Sequence, residues 1–199
     1  MSHSMFNYDQ EQAVQAGVSN YVSDSGAYGG KLLTAEWVVS TQKGTKGIEL
    51  TFETVDGLKA NYLTIWYQKA TGEQLAGSKM LNAIMGCCKV TNLTSKVVNH
   101  PEGPKYFCPE LERKPLGLIL QKVLYTKSDL SDGYKFEIRL PFIAQTGKTL
   151  AEQLGNKDAA AVNKVLATLT DKDDRTSVTA QSHANVSNGV PDGFDDWAN

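Results

Sequence analysis

Histidine is scarce in this chain of 199 residues, which contains only His3, His100 and His183. The three lie near the start, in a predicted loop and in the C-terminal tail, so they do not predict a Ser-His-Asp or Cys-His arrangement. The glutamates alternate with apolar residues, as surface positions do, and form no convergent pair of carboxylates. We therefore expect a protein that is not an enzyme.

Cysteine is also rare, and Cys87, Cys88 and Cys108 are an odd number with an adjacent pair. Small secreted domains do not build a disulfide framework in this way, so a reduced cytoplasmic setting is the simpler interpretation. Together with His100 the cysteines would number four zinc ligands, but no Cys-x-x-Cys is present and the spacing favours buried thiols. We expect no metal and no cofactor.

One nucleotide-binding motif is imitated but incomplete. Gly147-Lys148-Thr149 follows a predicted strand and opens a predicted helix, like the end of a phosphate-binding P-loop. That motif needs a further glycine where this chain has Phe142, so the sequence favours a helix cap at Thr149 over an ATPase.

Long apolar runs are absent: no stretch approaches the length of about 18 residues that spans a membrane, and no signal-peptide pattern is found. We expect no membrane partner and an intracellular protein. With 41% hydrophobic residues, the chain is long enough for one domain of about 150 residues with a hydrophobic core.

Residues 170–199 lack Leu, Ile, Met and Tyr, and carry six aspartates against Lys172 and Arg175. The first 169 residues instead hold 18 basic and 16 acidic side chains. A segment that buries so little apolar surface predicts a disordered acidic tail. We divide the chain into an N-terminal lead-in (1–27), a main domain (28–147), C-terminal helices (148–169) and this tail (170–199).

Alternating apolar residues predict three strands within residues 28–68, with Asp56-Gly57 as a tight hairpin turn. An amphipathic helix follows, with Ser78 as its cap and with Leu81, Ile84, Met85 and Cys88 on one face. Residues 91–115 are predicted as a loop, residues 116–125 and 134–143 as two further strands, and residues 149–154 and 158–169 as two helices. Three strands, one helix and two strands is the order of the five-stranded OB barrel, so we predict a mainly β protein of this class.

Aromatic residues interleaved with lysines indicate single-strand binding, because every base can stack on a ring and every phosphate attracts a cation. In the third strand we predict Leu63, Ile65 and Tyr67 inward and Tyr62 with Trp66 outward. The full set of predicted DNA-binding residues is Lys31, Trp37, Lys43, Lys46, Lys59, Tyr62, Trp66, Lys69, Tyr106 and Arg139.

Four segments within residues 5–90 support this interpretation: MFNYDQEQ, AYGGKLLTAEW, KGTKGIELTFETVDG and GSKMLNAIMG. They resemble bacteriophage-encoded single-stranded DNA-binding proteins with an OB fold. The tip DGFDDW resembles the C-terminal tails by which phage and bacterial single-strand binders recruit replication proteins. In such proteins the tail commonly ends on Phe, whereas Ala198 and Asn199 follow Trp197 here.

The resemblance implies a non-catalytic protein that coats single-stranded DNA during phage replication or recombination, in the cytoplasm of the infected bacterial host. It also implies replication or recombination proteins as partners, contacted through the tail residues Asp192, Phe194, Asp195, Asp196 and Trp197. A homo-oligomer is compatible with this role. The alternative from another class is a protein–protein adaptor or inhibitor built on a small barrel, with Tyr62 and Trp66 as its hot spot.

Overall fold

The computed structural model describes residues 5–17 and 19–175. The predicted partner-binding tip, Asp192 to Trp197, lies outside the described residues. None of the helices in these ranges is long and apolar enough to cross a membrane.

The described chain is mainly β, as predicted. Its principal strands are β1 (Gly26–Val39), β2 (Lys46–Thr54), β3 (Lys59–Gln68), β4 (Lys96–His100), β5 (Gly103–Phe107), β6 (Pro115–Thr126) and β7 (Asp132–Phe142). A two-residue strand, β8 (Lys172–Asp173), pairs in parallel with β6. The helices are α1 (Gln10–Gln15), α2 (Ala76–Cys87), α3 (Leu150–Leu154) and α4 (Ala161–Leu166), with a 3-10 turn at Pro109–Leu111.

All eight strands belong to one sheet, which differs from the five-stranded barrel that was predicted. Strand β1 is its centre: β2 pairs with residues 30–39 of β1, while β6 pairs with residues 26–31 and β5 with residues 36–37. From β3-β2-β1 the sheet continues along two branches, one through β5 to β4 and the other through β6 to β7. The sheet is open, because among the described strands β3 pairs only with β2, and β7 only with β6.

The core lies where the inward residues of this curved sheet meet α2. Its fully buried side chains include Leu32, Ile48, Leu50 and Phe52 from β1 and β2, and Leu116, Leu118 and Leu120 from β6. Gly30 lies so close to the β2 backbone that an added Cβ would be 2.1 Å from the carbonyl oxygen of Glu53. Position 30 lies at the bend where β1 changes its pairing partner between β6 and β2. The close approach of the two backbones explains why this position is a glycine.

Two β-bulges change which side chains face the core. In β1 the register slips at Leu33, so Leu32 is fully buried and Leu33 is only half-buried. In β3 the register slips opposite Thr51, so Ala60 is buried before the bulge, and Leu63 and Ile65 after it. A bulge inserts one extra residue, so the side chains beyond it point to the opposite face of the sheet from the one expected. A sequence pattern that alternates strictly between the two faces does not predict this change.

Helix α2 confirms the predicted amphipathic face, with Leu81, Ile84 and Cys87 buried. The predicted cap was wrong: Leu75 is the N-cap residue, and the Ser78 hydroxyl donates to the Leu75 carbonyl oxygen at 2.8 Å. A serine hydroxyl within the first turn of a helix can donate to the backbone carbonyl three residues earlier, so the presence of serine does not by itself identify the N-cap.

Residues 91–115, predicted as a loop, instead contain the β4–β5 hairpin, which joins the sheet through the pairs Glu36–Phe107 and Trp37–Tyr106. All five residues of β4 are exposed. Such a strand lacks the half-buried alternation from which strands are predicted, so only its position beside β1 identifies it.

The C-terminal elements pack back onto the sheet. Thr149 and Glu152 form the predicted capping box of α3, and Glu152 also accepts from the Ala160 and Ala161 amides at 2.9 and 2.7 Å. Helix α4 is shorter than the predicted span of 158–169. Residues 170–175, which were assigned to the disordered tail, contain β8 and the ion pair of Arg175 with Asp132 at 3.0 Å.

Candidate nucleic-acid interface

The open sheet leaves a groove where the edge strands β3 and β7 face each other, and we call this groove the edge gap. Its first half is a cleft of about 490 Å³ whose lining includes Tyr62 and Trp66 of β3, Met80 of α2, and Lys135, Phe136, Glu137 and Ile138 of β7. Its second half is lined by Tyr21, Lys59, Tyr62, Tyr125, Tyr134, Lys135 and Phe136. Both halves share Tyr62, Lys135 and Phe136, so the edge gap is continuous.

Trp66 is held in place by a glycine on the neighbouring strand. The indole lies over Gly47 of β2, where an added Cβ would be only 2.7 Å from a ring carbon. The side chain still exposes 40% of its surface. This position gives Trp66 a fixed orientation and a free ring surface, which base stacking requires.

Tyr62 stands at the bulge of β3 in an unusual backbone conformation. Its φ is +59°, in the left-handed region that L-residues rarely occupy, and its side chain is 76% exposed. The prediction that Tyr62 and Trp66 point outward while Leu63 and Ile65 point inward is thus confirmed. Strained residues of this kind are concentrated at functional sites, where the surrounding structure maintains the strain.

Lysines lie at both ends of the edge gap. At the Trp66 end, Lys46 pairs with Gln68, and the turn that carries Lys43 contacts Ala70 through Gly44. Lys69 is bound to Glu73 at 2.8 Å, and Lys43 and Lys46 are exposed. The structure therefore brings Lys43, Lys46 and Lys69 to one corner.

At the other end, the side chain of Lys59 is exposed on β3. Its backbone forms hydrogen bonds with the backbone of Asn20 and Val22. Lys31 forms an ion pair with Glu53 at 2.8 Å, and Glu53 is also the cross-strand neighbour of Lys59. The Lys31 ammonium lowers the pKa of the Glu53 carboxyl. Lys31 is thus partly neutralised by its own neighbour.

Aromatic residues of β7 complete the edge gap, and sequence reasoning did not select them as site residues. Tyr134 is half-exposed and packs edge-on against Phe136 with ring centroids 5.9 Å apart. The Lys122 ammonium lies 4.8 Å from the centre of the Tyr134 ring. The sequence signal for these residues is their alternation with Lys135 and Glu137 in β7.

Trp37 and Tyr106 are neighbours on β1 and β5 and do not line the edge gap. Trp37 is half-buried: its indole N–H donates to the Thr94 carbonyl oxygen at 2.9 Å, and its ring packs edge-on against Tyr67. Tyr106 is 45% exposed beside it. Arg139 is exposed on β7 and lies outside the edge gap.

The outer face of β1 and β2 carries three glutamates. Glu36 is paired across the strands with Glu49, and Glu53 lies further along β2. Lys105 is 3.8 Å from Glu36, whereas Glu49 accepts a hydrogen bond from Thr64 at 3.2 Å. This face is therefore not a basic surface.

The three cysteines are free and buried. Burial, with Glu110 as a second cause, raises the pKa of Cys108 to about 12, and burial raises that of Cys88 to about 12 as well. Within residues 5–17 and 19–175, no three His, Cys, Asp or Glu side chains are grouped so as to hold a metal ion.

The chain matches no protein-family model, and no similar sequence is found among the curated proteins.

Proposed function

We propose that this protein is a non-catalytic single-stranded DNA-binding protein. The observation that carries the proposal is the exposure of Tyr62 and Trp66 on one edge strand, with lysines beyond both of them. The exposed surfaces of these rings are not covered by the core, and a sheet edge lined by them provides a surface for unpaired bases.

Binding by these rings and lysines would tolerate any DNA sequence. Stacking of a base on an aromatic side chain contributes roughly 1–3 kcal/mol and does not depend on which base is present. The lysine ammonium groups attract the phosphates, and release of condensed counterions makes such binding weaken steeply with salt. Both terms predict weak sequence preference, as a protein that coats DNA requires.

The strand order supports an OB-type architecture as part of this proposal. The path β3-β2-β1-β6-β7, with α2 following β3 along the chain, has the OB order if β4 and β5 are taken as an inserted hairpin. The edge gap would then be the place where β3 and β7 approach without pairing.

The resemblance to phage single-strand binders supports the biological setting. In that setting the protein coats and protects single-stranded DNA during phage replication or recombination in the cytoplasm of the infected bacterium. The acidic tip that contains Phe194 and Trp197 recruits replication or recombination proteins, since an acidic segment with two aromatics is suited to a basic, apolar pocket on a partner.

A titration with fluorescein-labelled oligo-dT at two salt concentrations tests the proposal, with fluorescence anisotropy as the readout. The full chain is compared with a chain ending at Arg175, because residues 170–175 pack against the sheet and have to be kept. We expect binding by both forms and a steep log-linear loss of affinity with salt. Absence of binding by both forms would refute the proposal.

Docking of a protein partner is the alternative, because Tyr62 and Trp66 also have the character of an interface hot spot. The adaptor function predicts no affinity for oligo-dT. The same titration therefore decides between the two functions.

A further inference from the structure

We infer that the bound DNA strand runs along the edge gap between β3 and β7, and that Tyr134 with Lys122 and Lys135 forms a second base-binding position there. This inference rests on the proposed function and adds the path of the strand to it. Two observations support it. The edge gap and the outer face of β1 and β2 differ in charge, and the edge gap is continuous from Trp66 to Tyr134.

The competing path would cross the outer face of β1 and β2, and its charge opposes a phosphate backbone. Glu36, Glu49 and Glu53 lie on this face, and the described ion pairs match them with Lys31 and Lys105 only. Within residues 5–17 and 19–175, the partner found for Glu49 is a hydroxyl and not a cation. A strand crossing here would meet an uncompensated carboxylate in the middle of its path.

The edge gap has the opposite character. Lys59 and Lys135 are exposed along it, and Lys122 lies beside Tyr134. Glu137 of β7 also lines the first half of the gap, and Lys135 binds it at 3.2 Å. Basic side chains are therefore in excess along this path, and they alternate with rings.

The spacing of the rings suits separate bases of one strand. Tyr62 and Trp66 are four residues apart on β3, which corresponds to roughly 13 Å at the usual rise of a strand. Tyr134 lies on the opposite edge, in the half of the gap that Tyr62 also lines. A strand following the gap would meet Trp66, then Tyr62, then Tyr134, and each ring could stack a different base.

The surroundings of Tyr134 favour a nucleotide over an apolar ligand. Its ring is fixed edge-on by Phe136, half of its surface is exposed, and the Lys122 ammonium lies at the ring. A base stacking on the free surface would place its phosphate near Lys122 or Lys135. The chemistry of the position is thus one aromatic surface with cations beside it, which matches a single nucleotide unit.

The test measures oligo-dT affinity of the full chain and three variants by fluorescence anisotropy. Tyr134→Ala removes the inferred base-binding position, and Tyr8→Ala is the matched control, since Tyr8 is a largely exposed tyrosine in the N-terminal segment. Glu49→Gln removes the charge on the competing path and keeps an acceptor for Thr64. Thermal melting of each variant verifies that it is folded.

If the strand follows the edge gap, Tyr134→Ala weakens binding roughly tenfold, whereas Tyr8→Ala and Glu49→Gln leave the affinity within about twofold of the unmodified chain. Should Tyr134→Ala be unstable, Lys135→Gln replaces it and is expected to reduce the salt slope by about one.

Equal affinities for Tyr134→Ala and Tyr8→Ala would overturn this inference and leave the proposed function intact. A severalfold gain in affinity for Glu49→Gln would place the strand on the outer face and overturn it as well. If the unmodified chain does not bind oligo-dT at all, the proposed function fails first, and the inference fails with it.

Discussion

The left-handed backbone at Tyr62 provides a direct test of whether this exposed residue lowers the folding stability of the protein. Two substitutions, Tyr62→Gly and Tyr62→Ala, remove the same side chain, which is 76% exposed and therefore buries little surface. They differ in what the backbone requires. Alanine keeps a Cβ at φ +59°, whereas glycine adopts this conformation without steric conflict.

The expected magnitude follows from two opposing effects. A left-handed conformation costs an L-residue roughly 1–2 kcal/mol that glycine does not lose. Glycine loses more backbone entropy on folding, which at an ordinary strand position makes it roughly 0.5–1 kcal/mol less stable than alanine. The net expectation is that Tyr62→Gly is more stable than Tyr62→Ala by up to about 1.5 kcal/mol.

Urea denaturation of both variants measures this difference, and oligo-dT anisotropy measures the function. We expect both variants to lose affinity equally, by roughly 1–3 kcal/mol, because both lack the ring. A Tyr62→Gly variant less stable than Tyr62→Ala would contradict the strain at this position. Unchanged DNA affinity in both would show that Tyr62 does not bind bases.

Three further predictions concern other parts of the molecule. Gly47→Ala should displace the Trp66 indole, changing its fluorescence and weakening oligo-dT binding severalfold, whereas Gly29→Ala, with its nearest neighbour at 4.0 Å, should do neither. Hydrogen bonds from the amides of Ala160, Thr149 and Ala161 lower the pKa of Glu152 to about 2. The stability that Glu152 contributes is therefore complete above its ordinary pKa near 4.5 and is lost as the pH falls towards 2; acid melting curves of Glu152→Gln should lack this component. Finally, because burial raises the pKa of Cys108 to about 12, thiol reagents should label it in the native protein far more slowly than in urea, and equal rates would contradict its burial.

The sequence predicted correctly those features that depend on residues close together along the chain. The capping box of Thr149 and Glu152 depends on residues three apart, and the buried face of α2 depends on a periodicity within one helix. Both were found where the sequence placed them. Helix α4 was over-extended because apolar residues in helical register continue to Leu169, beyond the end of the helix at Leu166.

The bulges and the β4–β5 hairpin were missed because their causes are not local. Leu33 leaves the core because β2 pairs out of step with β1, and nothing in the sequence around Leu33 records that register. Likewise, β4 has no buried face and is a strand only because β5 pairs it to the rest of the sheet.

The sequence by itself determined that the chain is mainly β and that lysines are interleaved with aromatics, and it favoured an outward direction for Tyr62 and Trp66. These follow from alternation and composition, which are properties of neighbouring residues. Only the tertiary structure decided that Tyr134 and Phe136 join Tyr62 and Trp66 in one groove. Strands β3 and β7 are far apart along the chain, and the curvature of the sheet through β1 and β6 brings their edges together.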